Sequence, residues 1–181
     1  DGRHKKIFPM FEFETKGNME DMIKLEEELL DFLGFEKDSV HCTYEGLCER
    51  YETEILEAEH EERMNKEISS KLFLKNFPKR THPFWNMKED VVKAIFNKVD
   101  VILHGQETIG SAERSCDKDA MRWNFLNQTD GAYANLLFKK FGKERVMKEL
   151  DEFLSHDFFP RFGGGIGMTR MARAMKLEGL I

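Results

Sequence analysis

The spacing of apolar and polar residues at the start of the chain predicts a strand followed by a helix. After Met10, strict Phe/Glu alternation over residues 11–14 has the period of a strand whose faces differ, with Glu12 and Glu14 on the acidic face. A broad apolar stripe then predicts a core helix. This helix begins after Asn18, a favourable N-cap residue, and ends at Gly34.

The remaining pattern predicts further strands and then several helices. The acidic segment 44–66 has few apolar residues and predicts one exposed helix, with His60 in water. Aromatic and β-branched runs bounded by Pro and Gly predict strands over 71–77, 83–87 and 99–103, the last leading into 107–111. Helical spacing predicts helices over 117–127, 131–140 and 143–155, and another after the glycine run 163–167. We therefore expect a single α+β domain over residues 1–181, an antiparallel sheet flanked by helices.

Composition and charge exclude several classes of protein. The 181 residues are 34% charged and 40% hydrophobic, and no apolar run approaches the roughly 18 residues of a membrane span, which excludes an integral membrane protein. A net charge of −6 lacks the basic excess of proteins that bind nucleic acid by charge alone. Three cysteines without zinc-site spacing indicate a reducing, cytoplasmic setting.

The glycine-rich segment near the end of the chain is a candidate phosphate site. Glycines at 163–165 and 167 would let backbone and ligand approach closely, and Arg170 would project from the first turn of the following helix. The segment fits neither the P-loop pattern nor the dinucleotide pattern. A plain turn into a helix is the alternative.

A second candidate segment carries Glu107 and Arg114, which would point to opposite faces of a regular strand. A bulge at Gly110-Ser111 would bring them to one side, where they could hold a metal-bound phosphate and an anionic substrate group. The alternative is an ordinary ion pair at a strand end.

The acidic face of the first strand, which carries Glu12 and Glu14, also has two possible roles. It is either a site for a metal and a polyanion or a solvated sheet face.

Four motifs, taken in order, resemble the catalytic core of class II aminoacyl-tRNA synthetases of the aspartyl/asparaginyl branch. They are Arg-His-x-x-x-Phe followed by Glu-x-Glu, Phe-Leu-x-x-Phe-Pro followed by Pro-Phe-Trp-Asn-Met-Lys, Gly-x-Glu-x-Ile-Gly-x-x-x-Arg, and Gly-Gly-Gly-Ile-Gly-x-x-Arg. The resemblance extends from Arg3 to Lys176, with the motif 2 loop in 1–15 and motif 3 in 162–176. Details of the last two motifs are most similar to the archaeal-type asparagine synthetases related to asparaginyl-tRNA synthetase.

This resemblance implies a nucleotide site beside an amino-acid site. The implied ATP-binding residues are Arg3, His4, Phe8, Glu107, Gly165, Gly167 and Arg170, with Arg3, Glu107 and Arg170 as the catalytic set and Glu107 also binding Mg²⁺. The implied amino-acid-binding residues are Glu12, Glu14, Arg114 and, on the same segment as Arg114, Ser111.

The implied reaction is ATP-dependent, AMP-forming activation of aspartate. Attack by ammonia on the activated side chain would give free asparagine. The alternatives are an asparaginyl- or aspartyl-tRNA ligase core, in which tRNA attacks the activated α-carboxylate, and an inactive paralogue that binds adenylate. Arg114 would hold the α-carboxylate in an asparagine synthetase and the side chain in a tRNA ligase. The sequence leaves this orientation of the substrate open.

The chain also departs from the family pattern. It begins after the Arg-x-Glu of motif 2 and lacks motif 1, through which we expect a homodimer to form. Thr169 stands where the tRNA ligases usually have an acid, and Pro160-Arg161-Phe162 replaces their Pro-His-Gly. If the 181 residues were the entire polypeptide, we would expect no adenylate formation.

Overall fold

A computed structural model describes residues 7–36 and 38–181 of the chain. They form a sheet of seven strands: β1 (Met10–Lys16), β2 (Val40–Thr43), β3 (Lys71–Pro78), β4 (Glu89–Asp90), β5 (Ile95–Leu103), β6 (Gln106–Arg114) and β7 (Arg161–Gly167). The strand order is β1-β7-β6-β5-β3-β2, and β4 pairs with β5. Only β2 and β3 pair in parallel within this sheet. The expected α+β class is confirmed, and the parallel pair is an addition to it.

Seven helices surround the sheet in the described part of the chain. They are α1 (Met19–Leu33), α2 (Tyr44–Tyr51), α3 (Ala58–Glu67), α4 (Lys118–Asn127), α5 (Ala132–Phe141), α6 (Lys143–Ser155) and α7 (Met168–Glu178). The predicted ends of α1 are confirmed, since the Asn18 side chain accepts hydrogen bonds from two backbone amides and Gly34 closes the helix with φ of 95°. No helix among the described residues is long and apolar enough to cross a membrane.

Helices α1 and α7 cover one face of the sheet. The side chains there are apolar and come from alternate positions of the central strands, namely Phe73, Val99, Val101, Leu103, Ile109, Phe162 and Ile166. Met22 and Leu30 of α1 and Met171 of α7 pack against them. This layer is the main hydrophobic core.

Helices α2 and α3 cover only part of the opposite face. Their apolar side chains pack against Leu72, Leu74 and Phe77 of β3 and Ile102 of β5. On the same face, the other end of the sheet, made of β1, β7 and β6, carries a cleft in place of a packed layer. The position of α2 and α3 therefore determines where a ligand can reach the sheet.

The prediction of one exposed helix over 44–66 is wrong. The chain breaks after Tyr51, where Glu52 adopts a left-handed conformation, and both resulting helices are partly buried. His60 is also buried, and its Nδ1 accepts a hydrogen bond from the backbone amide of Glu57 at 2.9 Å. The buried residues are Tyr44, Leu47, Cys48 and Tyr51 in α2, and His60 and Met64, four positions apart, in α3.

The strand predicted over 83–87 is also wrong. Only Met87 makes a bridge, to Arg114, and the aromatic residues before it leave the sheet. Trp85 packs edge-on against Phe125 and Phe153, at 5.4 and 5.3 Å between ring centroids, within a third apolar cluster built by α4, α5 and α6. The aromatic pattern here reflects packing against helices.

A carboxyl group lies inside the main core. Glu26 of α1 is 1% exposed, and neither of its oxygens has a hydrogen-bond partner of normal geometry in the described structure. Burial raises the pKa of Glu26 to about 8; the neighbouring Ser111 hydroxyl opposes this shift, and the charge of Asp100 adds to it. Glu26 is therefore protonated in the folded protein at neutral pH.

We expect Glu26→Gln to reduce the pH dependence of stability. The unfolded carboxyl ionises near its ordinary pKa of 4.5 and the folded one near 8, so folding takes up a proton between these values and stability falls as pH rises. The variant should lose this slope, which for one group is about 1.4 kcal/mol per pH unit. Urea denaturation at several pH values from 5 to 8 measures it.

Glu28→Gln on the same helix is the matched control, because the Glu28 side chain is 65% exposed. It should leave the slope as in the unmodified protein. Equal slopes in the unmodified protein and the Glu26→Gln variant would contradict a protonated Glu26.

Candidate active site

The open end of the sheet forms a cleft of about 570 Å³ between β1, β6 and β7. Strand register aligns the side chains that border it. Glu12 lies opposite Gly165, which lies opposite Gly110, and Gly110 lies opposite Asp100 of β5. One row further along, Glu14 lies opposite Gly163. Polar side chains from the outer strands therefore surround a floor made largely of backbone.

The glycine run forms this floor as part of strand β7, so the alternative of a plain turn into a helix is wrong. A Cβ at Gly164 would lie 2.6 Å from the Ser111 Cβ, and one at Gly163 would lie 2.6 Å from the Phe13 carbonyl oxygen. Contacts this close leave no room for a side chain. The glycines thus permit tight strand packing and leave the floor bare.

Arg170 lies at one end of the cleft, in the first turn of α7. Its guanidinium donates a hydrogen bond to the Glu107 carbonyl oxygen at 2.7 Å and lies 3.6 Å from the Glu107 carboxylate. Gly167 precedes this helix as its N-cap residue. The arrangement fixes a cation beside an acidic side chain.

Asp100 and Glu107 form a pair of carboxylates next to Arg170. One oxygen of each lies near the place where a Gly110 side chain would begin, at 3.5 Å for Asp100 and 2.9 Å for Glu107. Burial raises the pKa of Asp100 to about 6; the Lys98 ammonium opposes this shift, and the charge of Glu107 adds to it. Asp100 Oδ1 is buried and has no hydrogen-bond partner among the described residues.

Sequence reasoning missed Asp100. The available signal was an acidic residue between Val99 and Val101 in a strand that is otherwise apolar. A buried carboxylate in such a strand is costly unless it is paired or binds a cation, and Asp100 pairs through Oδ2 with the Lys98 ammonium at 2.5 Å.

Arg114 lies at the other end of the cleft. Its guanidinium donates hydrogen bonds to the Asn86 side-chain oxygen and the Gly163 carbonyl oxygen, both at 3.3 Å. Burial lowers the pKa of Arg114, while the nearby Glu14 carboxylate raises it and Arg161 lowers it further. Glu14 lies 3.7 Å from the Arg114 Nε and accepts a hydrogen bond from the Arg161 Nε at 2.7 Å.

Glu107 and Arg114 border the same cleft, as predicted, although the bulge lies elsewhere. The β5–β6 register passes from Val101 opposite Ile109 to Ile102 opposite Glu107 and skips Thr108. The extra residue is therefore Thr108, and the bulge predicted at Gly110-Ser111 is misplaced. Each charged residue pairs with another partner, so the alternative of a simple Glu107–Arg114 ion pair does not hold.

The other predicted site residues are placed as follows. Glu12, Glu14 and Gly165 border the cleft with Glu107 and Arg114. Phe8 precedes β1, is about half exposed and is not among the residues that border the cleft. Arg3 and His4 lie outside the described residues.

The prediction that Ser111 lines the amino-acid pocket is wrong. Side chains alternate along β6, so Ser111 points to the core face between Gly110 and Ala112, where it is 2% exposed. Its hydroxyl donates to the Val99 carbonyl oxygen at 3.4 Å.

Comparison with known families identifies this architecture. Residues 2–179 match the family model described as tRNA synthetases class II (D, K and N). The chain belongs to this family. No match was found among curated proteins.

Solved class II synthetases share the fold. Aspartyl tRNA synthetase from Entamoeba histolytica is 20% identical, with a TM-score of 0.73 over 98% of this chain and 42% of its own. Asparaginyl-tRNA synthetase from Pyrococcus horikoshii, complexed with asparaginyl-adenylate, is 19% identical, with a TM-score of 0.72 over 97% of this chain and 46% of its own. The asparaginyl-tRNA synthetase from Entamoeba histolytica is 18% identical, with a TM-score of 0.74 over 98% of this chain and 46% of its own. The chain spans less than half the length of these relatives.

We expect Gly164→Ala to destabilise this class II sheet by about 1–3 kcal/mol, the usual cost of forcing an extra methyl group into a packed layer. The added Cβ would meet the Ser111 Cβ at 2.6 Å and the Gly110 carbonyl oxygen at 2.7 Å, and neither can move freely. The shift in the urea midpoint measures the effect.

Gly167→Ala is the control for the loss of glycine itself. Its φ is −70°, and the nearest atom to an added Cβ is the flexible Arg170 Cδ at 3.5 Å. Equal midpoint shifts in the two variants would show that crowding at Gly164 is not the cause.

Proposed function

We propose that this cleft activates a carboxylate of aspartate with ATP. A carboxylate oxygen attacks the α-phosphorus, the bond to the bridging oxygen breaks, and pyrophosphate leaves, giving aspartyl-adenylate. The observation that carries the proposal is the charge arrangement. Arg170 and the Asp100–Glu107 pair lie at one end of a bare backbone floor, and Arg114 lies at the other. Positioning and charge stabilisation supply the catalysis, without a protein nucleophile.

The Arg170 end would bind the nucleotide. Its guanidinium is a fixed partner for a phosphate, and Arg3, His4 and Phe8 would complete the ATP site, as the resemblance implies. Asp100 and Glu107 fit Mg²⁺, because they offer hard carboxylate oxygens and Asp100 Oδ1 is buried without a partner. A magnesium ion bound by these two carboxylates would take its remaining ligands from phosphate oxygens and water. When bound, the ion would neutralise phosphate charge.

The Arg114 end would bind the amino acid. Arginine pairs well with a carboxylate, and Arg114 is held in place by Asn86 and the Gly163 carbonyl group. Glu12 borders the same cleft between this end and the acidic pair, where it would attract the substrate ammonium group. The substrate would thus lie across the glycine floor.

Free asparagine is the product that we propose first. Ammonia would attack the activated side-chain carbonyl carbon, and AMP would leave. Three sequence features support this choice: the Glu107–Arg114 segment, Thr169 in place of an acid, and Arg161-Phe162 before the glycines. The acidic net charge also suits an enzyme of a free amino acid better than one that binds tRNA.

A tRNA ligase is the second candidate, because the family model describes tRNA synthetases. The tRNA ribose would then attack the activated α-carboxylate. A homodimer formed through motif 1 is proposed in both cases.

Incubation of the full protein with aspartate, ATP, Mg²⁺ and ammonium, without tRNA, should produce asparagine and AMP in equal amounts. Chromatography of amino acids and nucleotides measures both products. Aminoacylation that appears only when tRNA is added would contradict asparagine synthesis and favour the ligase. Nucleotide binding without turnover would indicate an inactive paralogue.

Single substitutions should separate the two ends of the cleft. We expect Asp100→Asn to weaken Mg²⁺·ATP binding by at least about tenfold, because it removes a charge from the acidic pair, and to leave aspartate binding nearly unchanged. Arg114→Ala should have the opposite pattern, with aspartate weakened by at least about tenfold. Calorimetric titration of each ligand measures both. An Arg114→Ala variant with normal aspartate affinity would refute the proposed site.

A further inference from the structure

We propose that Arg161 determines the charge of the Arg114 end of the cleft and so makes it select a carboxylate over an amide. The inference rests on the proposed function, because it concerns the substrate of the same cleft. Arg161 acts through Glu14 and is therefore a positioning residue.

Strand register brings the two arginines together. Arg161 of β7 lies directly opposite Arg114 of β6, and like charges in such a position repel each other. Glu14 of the neighbouring strand β1 reaches both guanidinium groups. One of its oxygens accepts the 2.7 Å hydrogen bond from Arg161, and the other lies 3.7 Å from the Arg114 Nε. One carboxylate is thus shared by two cations.

Arg161 is held firmly in this position. It is 7% exposed, its guanidinium donates to the Ser115 carbonyl oxygen at 3.3 Å, and its centre lies 4.7 Å from the centre of the Phe158 ring. A buried guanidinium retains its carboxylate partner because leaving it unpaired is costly. Glu14 is therefore committed mainly to Arg161.

One positive charge consequently remains at this end of the cleft. The Arg114 Nε is buried without a hydrogen-bond partner in the described structure, and the Glu14 oxygen is too distant to accept from it. Glu12 is directed to the next row, beside Gly165, and Lys16 is exposed, with its ammonium 5.2 Å from the centre of the Phe159 ring. A substrate carboxylate would supply the missing anion.

A neutral residue at position 161 would abolish this preference. Glu14 could then pair fully with Arg114, and the end of the cleft would have no net charge. Such a site accepts an amide as well as a carboxylate, since its cation is already neutralised. The selectivity thus depends on a residue outside the lining of the cleft.

Three ligands test the inference by calorimetric titration of the full protein: aspartate, asparagine and isoasparagine, which carries its amide on the α-carboxyl group. The unmodified protein should bind aspartate at least about tenfold more tightly than one of the two amides. The amide that binds more weakly carries its amide group in place of the carboxylate that lies at Arg114, and so identifies that carboxylate. Arg161→Gln should bring this ratio close to one, chiefly through weaker aspartate binding.

Arg145→Gln is the matched control. Arg145 pairs with Glu149 at 2.9 Å in a similar geometry, but its side chain is 67% exposed and lies on α6. It should leave the ratio unchanged. Arg161→Lys retains the charge and should preserve most of the selectivity. This second variant keeps the test informative if Arg161→Gln fails to fold.

An unchanged ratio in Arg161→Gln, or equal weakening of all three ligands, would overturn the inference and leave the proposed function intact. Selective aspartate binding that is lost in Arg161→Gln, in a protein without ATP turnover, would support the inference and refute the proposed activation. Absence of binding by all three ligands would refute both.

Discussion

The close approach of three strands at glycines 163–165 is the constraint on which the rest of the structure depends. Side chains are missing at Gly163 and Gly164 because a Cβ there would lie 2.6 Å from the Phe13 carbonyl oxygen of β1 or the Ser111 Cβ of β6. The polar groups of the cleft must therefore come from the flanking strands. They project around a floor whose own position is fixed by the core beneath it, including the layer that holds Glu26 and Ser111.

Strand β6 distributes the charge of the cleft. Glu107 at its start and Arg114 at its end face the same space only because one extra residue, Thr108, corrects the alternation of side chains. Without that bulge Glu107 would point into the apolar layer under α1. A local irregularity in hydrogen bonding thus separates an acidic end from a cationic end across one cleft.

Local patterns predicted much of this arrangement. Alternation over residues 11–14 placed Glu12 and Glu14 on one face, the cap residues gave the limits of α1, and Glu107 and Arg114 were recognised as partners in one cleft. Local patterns did not reveal what depends on register between distant strands. Ser111 was assigned to the wrong face.

Asp100 was missed for a related reason. Its neighbour across the hairpin is Gly110. The open space above this glycine can be located only once the two strands are paired. Phe84 and Trp85 predicted a strand that does not form, because packing against helices and pairing in a sheet favour the same aromatic side chains. Arg161 was visible only as a departure from the family pattern, and its contact with Glu14 needs the fold.

The pairing of β1 with β7 has a consequence for how the protein is made. The two strands come from opposite ends of the chain, and the Glu14–Arg161 contact joins residues 147 positions apart. Contacts of such long range form late, since the intervening chain must first be ordered. During synthesis, strand β1 emerges from the ribosome well before the segment that completes the cleft. Phe13 of β1, which packs against Phe162 of β7, must await that segment, so the nascent chain is most exposed to aggregation or to chaperones before β7 is released.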